Sequence, residues 1–184
     1  MRRFLIFILI FLLFTANKLL CQQRNNLVTR YQYLDSIIIE NSGNHPEKCV
    51  ISVNGQLDIA KKLNNDSLVY ISQLHRVAIL NRLGIFDQTL EVLYELLSKL
   101  QNNPKDNRIS KVLFYIASSY FQMSDYKKSL TYFERSKNAA LHTNQYNDTV
   151  NINLEMGLVL VALGKKTEGF NLLKTNIETA KMLC

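Results

Sequence analysis

Tryptophan is absent, and only 2 prolines and 6 glycines occur in 184 residues. So few helix breakers suit a mostly helical chain with short turns. Disorder is excluded by composition, since 47% of the residues are hydrophobic and 20% charged. Cysteine is scarce as well: Cys21, Cys49 and Cys184 make no disulfide framework. Cys49 lies in an apolar stretch and reads as a small core residue. No run of Lys and Arg exceeds two residues, so there is no nucleic-acid footprint.

Catalytic and metal-binding patterns are missing in the same way. The three histidines, His45, His75 and His142, are never spaced by three or four residues, and neither His-Glu-x-x-His nor Cys-x-x-Cys occurs. Each histidine reads as a solvated side chain. Gly-x-Ser-x-Gly is absent, so no nucleophile elbow is indicated. The stretch GLVLVALGKKT, residues 157–167, approaches a phosphate-binding loop but fails twice. Val159 stands where the first glycine belongs, and Lys166 separates Lys165 from Thr167. Glu91 and Glu95 share one helix face as a wet surface rather than an acid–base couple. These absences predict a chain that is not an enzyme and carries no cofactor or metal.

What is present begins at the N-terminus. Arg2 and Arg3 precede an apolar run from Phe4 to Phe14, long enough for a signal-peptide core and short of the roughly 20 residues that span a bilayer. Residues 1–21 therefore read as a signal peptide cleaved after Cys21, or as an N-terminal anchor. A lipidated Cys21 is a third reading, although Lys18-Leu19-Leu20 makes a poor lipobox. An exported chain is the expectation, in the bacterial periplasm or cell envelope. Removing the segment takes away Arg2, Arg3 and Lys18 and no acid, so the formal charge falls from +7 to +4. That mild excess reads as a solvated surface.

The remaining chain repeats. Turn signals recur every 40 residues as GNHP at 43–46, LGIF at 83–86, MSDY at 123–126 and LGKK at 163–166. Three columns in that register are wholly apolar: Leu34, Leu74, Phe114 and Leu154; Val50, Leu90, Leu130 and Phe170; Val53, Leu93, Phe133 and Leu173. A fourth column is mostly small, with Cys49, Thr89, Ser129 and Gly169, and a fifth reads Ala60, Leu100, Ala140 and Ala180. Within a unit the apolar spacing is helical, as at Tyr126, Leu130, Phe133, Ala140 and Leu141. Each unit reads as two amphipathic helices around a turn. Units fall at about 24–64, 65–104, 105–144 and 145–184 within a domain spanning 24–184. Asn65-Asp66-Ser67, Asp106-Asn107 and Asn147-Asp148-Thr149 read as N-caps, which also accounts for the two glycosylation sequons among them. Asn102 to Lys105 reads as a stop and linker, and Pro46 suits a first helical turn.

This pattern resembles the tetratricopeptide repeat family, of the exported bacterial type. Ala117, Tyr120, Ser124, Tyr126, Ser129 and Phe133 of the third unit match its alternation of small and aromatic residues. Gly157, Leu160, Gly164, Gly169 and Leu173 of the fourth follow it, with Lys166 where an aromatic is usual. Gly84, Phe86, Thr89 and Leu93 represent the second. The first unit departs at Glu40, and the stride of 40 exceeds the family's usual 34. The resemblance implies an all-α, TPR-like α-solenoid of about four helical hairpins, preceded by an N-terminal signal helix. It further implies a protein–protein interaction scaffold that takes a peptide or helix on its concave face. Carried over by position, that face would include Asn81, Arg82, Lys111, Phe121, Gln122 and Asn151, with Phe121 as an exposed aromatic anchor. An alternative reading is the extracytoplasmic sensor portion of a longer signalling or transcription-regulating protein. Either way the implied partner is a protein or peptide, and the membrane enters only through the N-terminal segment.

Overall fold

The computed structural model describes the backbone of residues 2–183 and the side chains of residues 14–15 and 17–181. The described residues form helices and turns without a strand. The chain divides into two compact units, Met1–Leu83 and Gly84–Cys184.

The first unit holds α1 (Arg2–Asn41), α2 (Pro46–Lys62) and α3 (Asp66–Arg82). Pro46 occupies the first turn of α2, where its missing N–H removes nothing from the helix. Asn65 caps α3, its side chain accepting from the Leu68 N–H at 3.1 Å. Ile38, Cys49, Val53 and Ile79 make one buried cluster, and Tyr31, Ile59 and Ala60 make another. Cys49 is fully buried, as its apolar context predicts, and burial pushes its thiol above the usual range. The α1 helix runs without a break through Cys21, so the expected leader boundary falls inside a helix. Most side chains of that leader lie outside the described residues. Among the described residues no helix is long and apolar enough to cross a membrane.

The second unit holds α4 (Phe86–Leu100), α5 (Arg108–Gln122), α6 (Tyr126–His142), α7 (Tyr146–Ala162) and α8 (Lys166–Leu183). Consecutive helices pack on each other, and Ala117, Phe133, Ala140, Ile152, Met156 and Val159 form the buried cluster joining α5, α6 and α7. The expected stride is present in the backbone: α2, α4, α6 and α8 begin at Pro46, Phe86, Tyr126 and Lys166, each 40 residues after the last.

The turns supply the finer rule. Five of them are three residues long, and in each the middle residue has a left-handed backbone: Asn64, Gly84, Ser124, Asn144 and Gly164, with φ between 48° and 82°. One residue of that conformation ends a helix and lets the chain double back. The four-residue turn 42–45 between α1 and α2 departs from this, and so, more strongly, does the loop 101–107 between α4 and α5. Its extra length is offset by two shorter neighbours, 15 residues each against 17 for most of the other helices, and the stride survives.

Two sequence expectations are corrected. The caps read at Asn147-Asp148-Thr149 are not caps, because α7 already starts at Tyr146. Thr149 is instead buried in the first turn, donating to the Tyr146 carbonyl at 2.6 Å. The left-handed Asn144 ends α6 early enough for α7 to begin sooner than its Asp and Thr suggest. At α5, Asn107 makes no side-chain cap either; Asp106 accepts from the Arg108 N–H at 2.9 Å and holds the guanidinium of the same residue.

The apolar columns also separate in space. Cys49, Thr89, Ser129 and Gly169 are all buried, as are Val53, Leu93 and Phe133. Val50 and Phe170 stay 39% and 61% exposed, and Leu154 46%. Identity in a column therefore predicts helix phase, while burial depends on which neighbour covers that phase.

Candidate interaction site

The most distinctive surface of the second unit is built from three tyrosines on three successive helices. Tyr94 comes from the middle of α4, Tyr120 from the last turns of α5 and Tyr132 from α6. The Tyr94 hydroxyl lies 3.0 Å from both of the other hydroxyls. The rings of Tyr120 and Tyr132 stack, with centroids 5.6 Å apart at 15°, and Tyr94 meets Tyr132 edge-on at 6.3 Å. Burial and the two hydroxyl contacts push the Tyr94 phenol far above its usual value, so it stays neutral.

Two cations cover the pair of stacked rings. The Lys128 Nζ sits 5.0 Å from the centre of the Tyr120 ring, and the Arg135 Cζ 4.9 Å from that of Tyr132. Lys128, Tyr132 and Arg135 follow i, i+4, i+7 on α6, so one helix face carries all three. Asp125 caps α6 through the Lys128 N–H at 3.1 Å and also pairs with the Lys128 ammonium at 3.0 Å. Lys128 holds that carboxyl below its usual range. The surface offers aromatic faces, shared hydroxyls and positive charge.

The sequence-derived residues are distributed as follows. Asn81 and Arg82 end α3 in the first unit, where the Arg82 guanidinium donates to the Gly43 carbonyl at 3.4 Å. Lys111, Phe121 and Gln122 lie on α5 and Asn151 on α7, in the second unit. Lys111 and Phe121 are separated by roughly 15 Å along the helix axis. Lys111, Gln122 and Asn151 are exposed. Phe121 is not a free anchor: it is half-buried, its ring 5.6 Å from that of Tyr126 beside the α5–α7 cluster. The turn at 123–125 folds Tyr126 back onto it. Tyr94, Tyr132, Lys128 and Arg135 escaped the sequence reading, although the basic–aromatic spacing on α6 was visible.

Two polar features have structural uses. Gln56, fully buried on α2, donates to Asp35 Oδ1 on α1 at 2.8 Å and lies 2.9 Å from His75 Nδ1 on α3. The imidazole nitrogen is also 3.6 Å from Asp35. His75 is thus bonded within three helices, in contrast to the solvated side chain expected. Glu95 pairs with Lys99 at 2.6 Å along α4. Around the 101–107 loop a cleft of about 580 Å³ is lined by Asn103, Lys105, Asp106, Arg108 and His142, among others. Its strongest anion binder, Arg108, is already occupied by Asp106 at 2.6 Å. Among the described residues no three His, Cys, Asp or Glu side chains gather closely enough to hold a metal ion. No protein-family model matches the chain, and no curated protein matches it.

Proposed function

We propose that the chain is a protein–protein interaction scaffold, a TPR-like array that binds a peptide or helical segment of another protein. The observation that carries this reading is the Tyr94–Tyr120–Tyr132 surface with Lys128 and Arg135 over its rings. Tyrosine and arginine are among the side chains that most often carry binding energy at protein interfaces, and tyrosine buries much area with little loss of rotamer freedom. The Arg135 guanidinium favours a ligand with a carboxylate, whereas the Lys128 ammonium is already paired with Asp125 at 3.0 Å, and the hydroxyls supply donors and acceptors for the ligand's backbone. The helical hairpins supply a rigid frame for such a surface. The basic–apolar N-terminal segment supports an exported location for this scaffold, in the periplasm or cell envelope.

Selection of ligands from a displayed peptide library on the full-length chain tests the reading. Enriched peptides carrying acidic residues should bind at least tenfold more weakly to Tyr132→Ala and to Arg135→Glu. Binding that is indifferent to both substitutions would remove this surface from the function. Parallel Arg82→Ala and Lys111→Glu variants report whether the family-derived positions contribute.

A further inference from the structure

Two phenols of the tyrosine surface are arranged to react with each other. Tyr94 on α4 and Tyr132 on α6 meet at their ring tips: the hydroxyls lie 3.0 Å apart, the ring centroids 6.3 Å, and the ring planes are inclined at 62°. The carbons ortho to a phenol oxygen flank the carbon that bears it, so neighbouring hydroxyls bring ortho carbons of the two rings near each other. A phenol that has lost an electron and its proton carries unpaired spin on those ortho carbons. When two such rings join, the hydroxyls end up on either side of the new bond as hydrogen-bond neighbours, and the rings are twisted rather than coplanar. The Tyr94–Tyr132 pair has both features before any bond is made. Tyr120 also reaches the Tyr94 hydroxyl at 3.0 Å, but its ring lies nearly parallel to Tyr132, at 15°, which presents faces rather than ortho edges to that ring.

We propose that Tyr94 and Tyr132 form an oxidative cross-linking site, joined through their ortho carbons into one dityrosine within the chain. The oxidant is a one-electron oxidant of the haem-peroxidase class, with hydrogen peroxide as the terminal electron acceptor. Each phenol gives up one electron and its O–H proton. The two radicals form a carbon–carbon bond, and the hydrogens of the two bonded carbons pass to the oxygens, which restores both phenols. The two electrons and two protons released reduce one peroxide to two waters. The pair is open to such an oxidant, since Tyr94 is 37% exposed and Tyr132 half-buried. The Arg135 guanidinium, 4.9 Å from the Tyr132 centroid, opposes a positive charge on that ring, so the electron leaves together with the proton, which water takes. The bond joins residues 38 positions apart and ties α4 to α6 across α5, on which both helices pack. The cross-link is independent of whether the surface also binds a partner. Tyr33 and Tyr146 are more exposed, at 65% and 52%, so coupling governed by accessibility alone would fall on them and between molecules.

The test treats the dilute full-length chain with a haem peroxidase and hydrogen peroxide, with free tyrosine in a parallel tube to show that the oxidant is active. The expected product is a monomer lighter by two hydrogen atoms, with dityrosine fluorescence and a peptide map that links residue 94 to residue 132. Tyr94→Phe and Tyr132→Phe should each lose this monomeric product, while the Tyr33→Phe, Tyr146→Phe double variant keeps it. Circular-dichroism melts check that the phenylalanine variants fold, and the peptide map of the parent chain decides the matter if one does not. The proposal is overturned by a dityrosine that maps to other residues, that appears only in dimers or that survives in folded Tyr94→Phe or Tyr132→Phe. Loss of the monomeric product in the double variant overturns it too, as does an unmodified parent chain beside an oxidised free-tyrosine control.

Discussion

Ser136 and Ser110 are linked twice, each hydroxyl donating to the other's backbone carbonyl, at 2.8 Å and 2.9 Å. Both side chains are buried between α5 and α6. The next hairpin repeats the relationship with a different residue: Asn176 Nδ2 donates to the Val150 carbonyl at 2.8 Å, across the same sequence separation of 26. One hairpin earlier the position holds Leu96, and before that Gln56. Replacing either serine by alanine should cost about 1 kcal/mol, the usual net value of one hydrogen bond. A double-mutant cycle should show coupling of at least about 0.5 kcal/mol, since the two hydroxyls also lie 3.3 Å from each other. Ser136→Leu should cost about 1–3 kcal/mol through overpacking. Urea denaturation of the parent and the four variants measures all three quantities.

Gly169 of the small column faces Gly157 across α7 and α8, and the two glycines differ in what an added methyl would meet. At Gly169 an added Cβ would lie 2.8 Å from the Gly157 carbonyl oxygen and 3.2 Å from the Val161 nitrogen, so whole helices must part. Gly169→Ala should therefore lose about 1–3 kcal/mol despite its better helix propensity. Gly157→Ala should lose less, because the obstacle there is the Leu173 side chain, at 2.6 Å, which can rotate.

Ser129 is the contrasting case in that column. Its hydroxyl is buried without a hydrogen-bond partner. Ser129→Ala keeps the small volume and removes the stranded polar group, and it should raise stability by about 0.5–1 kcal/mol. A thermal melt with a higher midpoint is the expected reading.

The turns predict a pair of complementary changes. Ser124 adopts φ 62°, a conformation that burdens a residue with a Cβ, whereas Gly84 at φ 72° adopts it freely. Ser124→Gly should stabilise by about 0.5–1 kcal/mol and Gly84→Ala should destabilise by about 1 kcal/mol or more. The positions lie in separate turns, that of Gly84 between α3 and α4 and that of Ser124 between α5 and α6, so their effects should add in denaturant titrations.

Asp106 gives a pH signature. Its bonds to Arg108 hold the carboxyl below the ordinary range. The folded chain therefore releases this proton more readily than the unfolded one. The stabilisation is complete above the ordinary aspartate pKa and disappears as the pH falls through the lowered folded value. Asp106→Ala should cost about 1 kcal/mol at pH 7 through the lost backbone and guanidinium bonds, and the difference from the parent chain should shrink on acidification.

The helical class and the stride of 40 were legible before any coordinates, because helix-forming spacing and turn residues are local properties. Asn64, Gly84, Ser124, Asn144 and Gly164 share a left-handed backbone, and all are residue types that turn readily. The tyrosine surface was less legible. Tyr120 reads as packing by its register, and its partnership with Tyr94 and Tyr132 joins residues 26 and 12 positions away on separate helices. Phe121 shows the converse, an aromatic one step off the packing stripe that a three-residue turn brings against Tyr126.

The amino-acid order alone determined where helices begin to repeat, which residues stand in each column and how small the closest-approach positions must be. Packing decided the rest. Leu130 and Phe170 occupy one column, yet only Leu130 has α7 laid against its cluster. The reason is physical: a helix phase is set by bonds four residues apart, whereas burial is set by whichever other helix arrives at that phase.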